Sequence, residues 1–359
     1  MTPAARREAF RIPHSALRTP HWTCRLARAS ESRYNSGMLR AIFLLAATLS
    51  LGSGCATNPA PPQTGLSWPH YRLLAEQTTR LNSPQKDRFD ASGLLITPAG
   101  EMLTMRNNHD SLLYRIEFLP GGAEARLVPL EGCFATARLK ELDPSPHEFD
   151  CEGIAQDPQG RYYMCEERRR WILRCDPKTG QTERLPIDWS SVQDYFNKID
   201  RNASFEGIAI GNGKLYVANE RNDPVIIVVD LASWRVKRHF TVYPTKSSFF
   251  GTHYSDLCWA ENKLWVLCRQ HRVVLEVNPD TRKVIAEFDY GDLEESLGYR
   301  TNLPVGIMEG LAIDATSIWL VTDNNGLPRG RTGHDIRPTL VRCARPDLGH
   351  DSKANSKGK

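Results

Sequence analysis

A chain of 359 residues with a formal net charge of +4 has room for two ordinary domains or for one large all-β unit, so length alone excludes little. The charge is unevenly spread: residues 1–55 hold eight arginines against Glu8 and Glu31, a net of +6, which leaves −2 for the remainder. A body of that sign is a poor electrostatic footprint for nucleic acid, and nucleic-acid binding is excluded on that ground.

The first readable element starts at Met38. MLRAIFLLAATLSLGSGCATNPAPP gives a basic start, an apolar run, small residues, a cysteine and a Pro-rich stretch, which is the pattern of a bacterial secretory leader. Gly52, Ser53 and Gly54 before Cys55 resemble a lipobox, with Gly52 where Leu is usual. The expectation is an upstream extension over residues 1–37, a lipoprotein signal peptide over 38–55 lipidated at Cys55, and a tether over 56–67. A cleaved secretory peptide and a retained anchor are the alternatives, the run being short for a span. Ala56, rather than Asp, after the cysteine favours the outer membrane, facing the periplasm.

From Trp68 the chain reads as one domain to residue 346, followed by a polar tail over 347–359. Its organising feature is a repeat. SGLLITPAGEMLTMRNN starts at Ser92, EGIAQDPQGRYYMCEER at Glu152, EGIAIGNGKLYVANER at Glu206, SDLCWAENKLWVLCRQ at Ser255 and EGLAIDATSIWLVTDNN at Glu309. The starts are 60, 54, 49 and 54 residues apart, a period in the propeller range. Each unit has a short apolar strand, a turn of Gly, Asn, Asp or Pro, a returning strand, a third strand such as VIIVVDL, and a more polar fourth such as RVKRHFTV. Strict alternation is weak in the first three, as expected where both faces are covered.

The fold expected is therefore all-β, a five-bladed β-propeller. The fifth unit ends after PTLVRCARP without an outer strand, and WPHYRLLAEQTTRL from Trp68 has no blade of its own. That N-terminal segment is expected to supply the missing strand and close the ring. A sixth, degenerate blade is the alternative, for which few residues remain. DWSSVQDYFNKID, between the second and third units, reads as a short helix in a loop.

In a propeller the first strand of each blade lies nearest the axis, and Gly93, Gly153, Gly207 and Gly310 leave room for crowded backbones. Asp256 stands where the fourth unit lacks the glycine. The residues one step earlier, Ser92, Glu152, Glu206, Ser255 and Glu309, are placed at one mouth of the tunnel. The second strands return to the same face with Asn107 and Asn108, Glu167 and Arg168, Glu220 and Arg221, Arg269 and Gln270, and Asp323 and Asn324. Three glutamates converging on an axis repel one another, and a proton or a cation must relieve them. Ligands from Glu, Asp, Ser and Asn are all oxygen, which suits Ca2+ before Mg2+ and disfavours zinc. Glu152, Glu206 and Glu309 are the candidate metal ligands; ion pairs to Arg168, Arg221 and Arg269 are the competing reading. Glu167, Glu220 and Asp323 are the candidate catalytic carboxylates, with Asn107, Arg168, Arg221, Ser255, Asp256, Arg269 and Asn324 around the mouth.

Other candidates are weaker. His147, His253 and His334 lie in loops, where a solvated histidine is commonplace; Tyr254 and Trp259 read as packing. There is no nucleophile elbow, P-loop or HExxH. Beyond Cys24 and Cys55 seven cysteines remain, so at least one is unpaired. Cys133 and Cys151, bracketing one loop, are the first disulfide candidates; Cys165 and Cys175 could face each other across a hairpin, though small buried side chains are the simpler reading.

The ordered set SGL, EGIA with CEERRRWILRCDPKTG, FEGIA with KLYVANER, SDL with KLWVLC, and NLPVGIMEGLAID with IWLVTDNNG resembles the SdiA-regulated propeller proteins. It is similar too to the domain called esterase-like activity of phytase. The resemblance covers roughly residues 70 to 345. It implies a secreted or lipid-anchored propeller with a calcium site at the axis and, on the phytase-like side, hydrolysis of phosphate or carboxylic esters, carried over onto Glu152, Glu206, Glu309, Glu167, Glu220 and Asp323. The dense aspartate clusters of established propeller phytases are missing, which argues against phytase activity proper. The partners expected are a small-molecule ester or phosphate, or another envelope protein, with membrane contact through the lipid anchor only and a monomeric state. The alternative function is a non-catalytic binding propeller with a structural cation or a salt-bridged axis.

Overall fold

The inner strands of five repeats stand side by side in a closed ring, because glycine at the same place in four of them removes the side chain that would hold them apart. A Cβ added at Gly93 would meet the Glu152 carbonyl oxygen at 2.7 Å, at Gly153 the Ile208 amide at 2.7 Å, at Gly207 the Asp256 Cα at 2.5 Å, and at Gly310 the Gly93 carbonyl carbon at 2.8 Å. Each glycine therefore abuts the backbone of the next unit, and the fifth returns to the first.

The computed structural model describes residues 68–346 except 86, 108–111, 146–147, 222, 300–304 and 331–332. The chain divides into Met1–Pro59 and Ala60–Lys359, and all described residues belong to the second. The expected leader with Cys55, the whole tether, the tail, Cys24, Asn108 and His147 lie outside the described residues. Among the described residues no helix is long and apolar enough to cross a membrane.

The strands fall into five four-stranded antiparallel units, the blades of a propeller. Ahead of them come β1 (His70–Arg72) and β2 (Ala75–Asn82). Blade one is β3 (Ala91–Ile96), β4 (Met102–Arg106), β5 (Leu113–Phe118) and β6 (Glu124–Leu130). Blade two is β7 (Cys151–Gln156), β8 (Tyr162–Glu166), β9 (Trp171–Asp176) and β10 (Gln181–Arg184). Blade three is β11 (Phe205–Gly211), β12 (Lys214–Asn219), β13 (Val225–Asp230) and β14 (Arg235–Phe240); blade four is β15 (Tyr254–Ala260), β16 (Lys263–Cys268), β17 (Val273–Asn278) and β18 (Lys283–Asp289). Blade five is β19 (Met308–Ile313), β20 (Ser317–Thr322) and β21 (Thr339–Ala344), completed by β2.

The N-terminal segment closes the ring as expected, but not as one piece. β2 pairs antiparallel with β21 and also lies parallel to β6, so it bridges blades five and one. β1 leaves for blade four, where it runs parallel to β18 as a fifth, outer strand. Two short helices, α1 (Thr136–Leu142) and α2 (Gly291–Ser296), sit in loops, and Ser190–Tyr195 forms a 3-10 turn within the stretch read as a short helix.

The core lies between blades. Tyr163 and Ile172 of blade two pack with Val217 and Ile227 of blade three, Tyr216 and Val228 of blade three with Val266 and Leu275 of blade four, and Trp265 and Phe288 of blade four with Leu311 and Leu320 of blade five. Leu340 and Val321 meet Leu94 and Tyr114 between blades five and one, and Leu113 meets Met164 between one and two. Covering both faces in this way explains the continuous apolar runs of the inner strands.

The disulfide differs from the one expected. Cys133 pairs with Cys175 of β9, and Cys151 is buried outside that bridge. Cys151 starts an inner strand, whereas the loop carrying Cys133 runs back over the outer part of blade two, where β9 lies. Cys165 does not face Cys175, since it stands opposite Ile172 while Cys175 stands opposite Tyr162; it is buried, as the simpler reading had it.

Candidate metal and catalytic site

A local irregularity in every blade aims polar side chains at the axis. The inner strand slips register against its partner between Ser92 and Leu94, Cys151 and Ile154, Phe205 and Ile208, Tyr254 and Asp256, and Met308 and Gly310. Such a bulge twists the strand and turns a side chain that would otherwise enter the sheet. The second strand then ends beside it: the amides of Asn107, Glu167, Glu220 and Asp323 donate to the carbonyls of Asp90, Asp150, Ser204 and Ile307, at 2.7 to 2.9 Å. Those carbonyls belong to residues two positions before the mouth residue, on the same side of the strand. Asp90, Asp150, Ser204 and, in blade four, His253 are thereby added to the ring; of these the sequence reading had singled out only His253.

Carboxylates gather on one side. Oxygens of Asp150, Glu152 and Glu167 lie within 4.8 Å of one another, as do those of Glu167, Glu206 and Glu220, and all five residues are buried. Glu167 is common to both groups. Neutral donors reach this side: Ser92 Oγ and Asn107 Nδ2 each donate to the Glu152 carboxylate at 2.6 Å, and the Ser204 amide donates to Glu167 at 3.1 Å. With its amide oriented to satisfy both, Asn202 Nδ2 donates to Glu167 at 3.2 Å and to Asp150 at 3.3 Å. Arg168, 43% exposed, stands 3.8 Å from Asp150.

Cations occupy the other side. Arg269 binds Glu309 and, at 2.5 Å, Glu220; Arg221 binds Glu220, Asp200 at 3.2 Å and the Asn202 carbonyl at 2.8 Å. His253 Nδ1 lies 3.4 Å from Glu220. Of the ion pairs expected, Arg269 makes the one to Glu309, whereas Arg168 stands by Asp150 and Arg221 binds Glu220 rather than Glu152 and Glu206. Glu152 and Glu206 join the carboxylate group, whereas Glu309 is removed from it by its ion pair with Arg269.

Protonation follows this division. Burial, reinforced by Glu206, Asp150 and Glu220, pushes Glu167 up to about 11. Burial and neighbouring carboxylates likewise raise Glu152 and Glu206 well above the usual range. Burial works against the charge on Glu220 too, but Arg269, His253 and Arg221 prevail and hold it at about 2. Asp323, in the blade-five position, is pushed up to about 7 by burial and by Asp90. Burial and like charge thus push Glu152, Glu167 and Glu206 toward the protonated form, the cations fix Glu220 as an anion, and Asp323 titrates near neutrality.

Three residues expected around the mouth have other work. Ser255 Oγ donates to the Met308 carbonyl at 3.2 Å, tying blade four to blade five. Asn324 Nδ2 donates to the carbonyls of Leu327 and Ile336 and pins the following loop. Asp256 is fully buried, and its carboxylate accepts from the amides of Leu257 at 2.8 Å, Leu311 at 2.8 Å and Leu94 at 3.3 Å. These amides belong to blades four, five and one, so Asp256 crosses the axis and laces three inner strands together where its own blade lacks glycine. Burial raises its pKa, opposed by the three amides. His334 is exposed.

The family model for phytase-like proteins, "Esterase-like activity of phytase", matches residues 76–326. No curated protein sequence matches the chain. Among solved structures, Myxococcus xanthus glutaminyl cyclase is similar with a TM-score of 0.51 and 14% identity, over 78% of this chain and 100% of that one. A PQQ-bound aldose sugar dehydrogenase from Streptomyces coelicolor is similar with a TM-score of 0.42 and 14% identity, over 76% of this chain and 98% of that one. The structural likeness speaks to the fold; the match over most of the propeller shows that the chain belongs to the phytase-like family.

Proposed function

We propose that the carboxylate side of the tunnel mouth holds a divalent cation, Ca2+ before Mg2+, and that the protein is a metal-assisted hydrolase of phosphate or carboxylic esters. The observation that carries this reading is the separation of charge. Asp150, Glu152, Glu167 and Glu206 crowd together with neutral hydrogen-bond donors, while the nearby Arg269 and Arg221 are committed to Glu220 and Glu309. The donor set is hard oxygen throughout, and a buried oxygen of Asp150 makes no hydrogen bond among the described residues. When bound, a hard cation supplies polarisation of an ester or phosphoryl oxygen.

The chain's own residues contribute the rest. Asp150, Glu152, Glu167 and Glu206 give up their protons to become ligands. Asp323, titrating near neutrality in a buried setting, has the proton affinity expected of a general base working near pH 7. Glu220, fixed as an anion by two arginines, positions them rather than accepting a proton, a different role from the catalytic one the sequence suggests.

The test is calorimetric titration of CaCl2 into the protein and into Glu206→Gln, with hydrolysis of p-nitrophenyl acetate and p-nitrophenyl phosphate followed with and without EGTA. Calcium binding that the variant loses, together with EGTA-sensitive turnover, is expected; absence of binding sinks the proposal. A second reading has one observation in its favour, the Arg269 bridge between Glu220 and Glu309, which gives the other half a salt-bridged axis. Calcium binding without turnover of either ester class would select that reading, a binding propeller with a structural cation.

A further inference from the structure

The opposite end of the tunnel carries a second concave site. Inner strands of six or seven residues separate the two ends by about 20 Å, so it shares no residue with the carboxylate group. It is a cavity of about 770 Å3, lined by the hairpin turns of blades one to four, and its size falls within the range of small-molecule pockets, about 300–1,000 Å3.

Two tryptophans furnish its apolar surface, and both are held in place. Trp259 lies so flat on blade three that a Cβ at Gly211 would fall 1.9 Å from its ring, and it stacks on the buried Tyr216 at 5.4 Å and 16°. Trp234 sits at the left-handed position of its turn, with φ of 54°. The matching turn of blade two has Gly180 there, with φ of 70°. That of blade four has Arg282, with φ of 61°, so the turn conformation is shared and the indole is what sets blade three apart. Arg174 lies over the Trp234 ring at 5.3 Å.

The polar lining is dense but already neutralised. Arg161 pairs with Asp157 at 2.7 Å, Arg174 with Glu183 at 2.5 Å, and Lys214 stands 3.6 Å from Asp280. The Tyr163 hydroxyl donates to Asp157 at 3.0 Å, and Gln159 is exposed at the rim. Asp230, also in the wall, accepts from Ser233 and stands 3.9 Å from Lys237, so each charge among the described lining residues faces an opposite one and the cavity has little to attract a strongly charged ligand. Fixed indole faces beside planar, paired hydrogen-bonding groups suit a molecule with a C–H face and a hydroxyl edge, because partly positive C–H groups settle on the negative face of an aromatic ring.

We infer that this cavity binds a neutral carbohydrate of one or two rings. Trp259 and Trp234 provide the stacking surface, and Gln159 and Arg161 the hydroxyl partners, with Arg161 held in place by the buried Asp157. Pre-set rings of this kind reduce the ordering cost of binding.

The test is saturation-transfer NMR and tryptophan fluorescence on the full chain with maltose, cellobiose, lactose and N,N′-diacetylchitobiose, with glucuronate and AMP as charged competitors. Saturable binding of at least one neutral disaccharide is expected, weakened about tenfold or more in Trp259→Ala. Because Trp259 also packs on blade three, Gln159→Ala on the exposed turn is measured beside it, with circular dichroism to confirm folding; it is expected to weaken the same sugar severalfold. Silence toward all four disaccharides overturns the proposal. So does binding that neither variant weakens, or binding by glucuronate or AMP alone.

Discussion

Glu167 belongs to both carboxylate groups, which makes it the sharpest probe of the mouth. Two ionised carboxylates 4.8 Å apart repel by about 3 kcal/mol at an effective dielectric of about 20, so the cluster without a cation keeps protons. The folded pKa of Glu167 is raised from the ordinary 4.5 to about 11. Its contribution to stability is therefore complete below pH 4.5 and is lost progressively as pH rises toward 11. One retained proton corresponds to about 1.4 kcal/mol per pH unit, so from pH 6 to pH 8 the wild type loses up to about 2.7 kcal/mol that a neutral amide would not lose. Glu167→Gln keeps an oxygen for the Ser204 amide and has no proton to give up. In EGTA its Tm is expected to gain about 5 °C or more on that of the wild type between pH 6 and pH 8. On adding CaCl2 the order reverses, because the wild type acquires a ligand-dependent gain that the variant lacks. Thermal melts at pH 6, 7 and 8, with and without calcium, check both. Parallel curves for the two proteins in EGTA would refute the reasoning, since the carboxylate would then hold no extra proton.

Other outcomes follow from the same framework. Gly207→Ala drives a Cβ to 2.5 Å from the Asp256 Cα, backbone that cannot yield, and is expected to cost about 3 kcal/mol or more, read as a loss of soluble protein or a lower denaturant midpoint. Asp256→Ala leaves the buried amides of Leu94, Leu257 and Leu311 without their acceptor; a loss of about 3 kcal/mol is expected in urea unfolding, with larger loss if the inner ring opens. Cys133→Ser releases a loop of 42 residues, which the chain-entropy argument values at about 4 kcal/mol, so dithiothreitol should lower the Tm of the wild type and leave that of the variant unchanged.

How far the sequence could be read depended on whether a signal repeats. The glycines of the inner strands recur in four units, so their crowding could be inferred before any contact was seen. The outer strand supplied from the N-terminus was legible because PTLVRCARP lacks a successor. Asp150 was missed although FDASG and FDCEG repeat an aspartate two places before the mouth residue; alternation along a strand puts that position on the same side. Pairing of charges was not legible. Arg269 reaches Glu220 and Glu309 on neighbouring blades, and nothing in local spacing says which of several facing carboxylates a long side chain will choose. The disulfide failed for the same reason: Cys133 and Cys151 are close in sequence, but the loop between them places Cys133 over β9.

The double pairing of β2 also dictates an order of events during folding. Its antiparallel partner, β21, is the last strand among the described residues to be synthesised, so Thr79 must wait for Leu340. Blades one to four have their four strands in sequence and can each form from contiguous chain, while blade five cannot be completed until the two ends of the propeller meet. The ring thus has a single latch, formed by contacts of the largest sequence separation, and these are the slowest to find one another. Until it closes, β21 presents a bare edge to any other strand nearby.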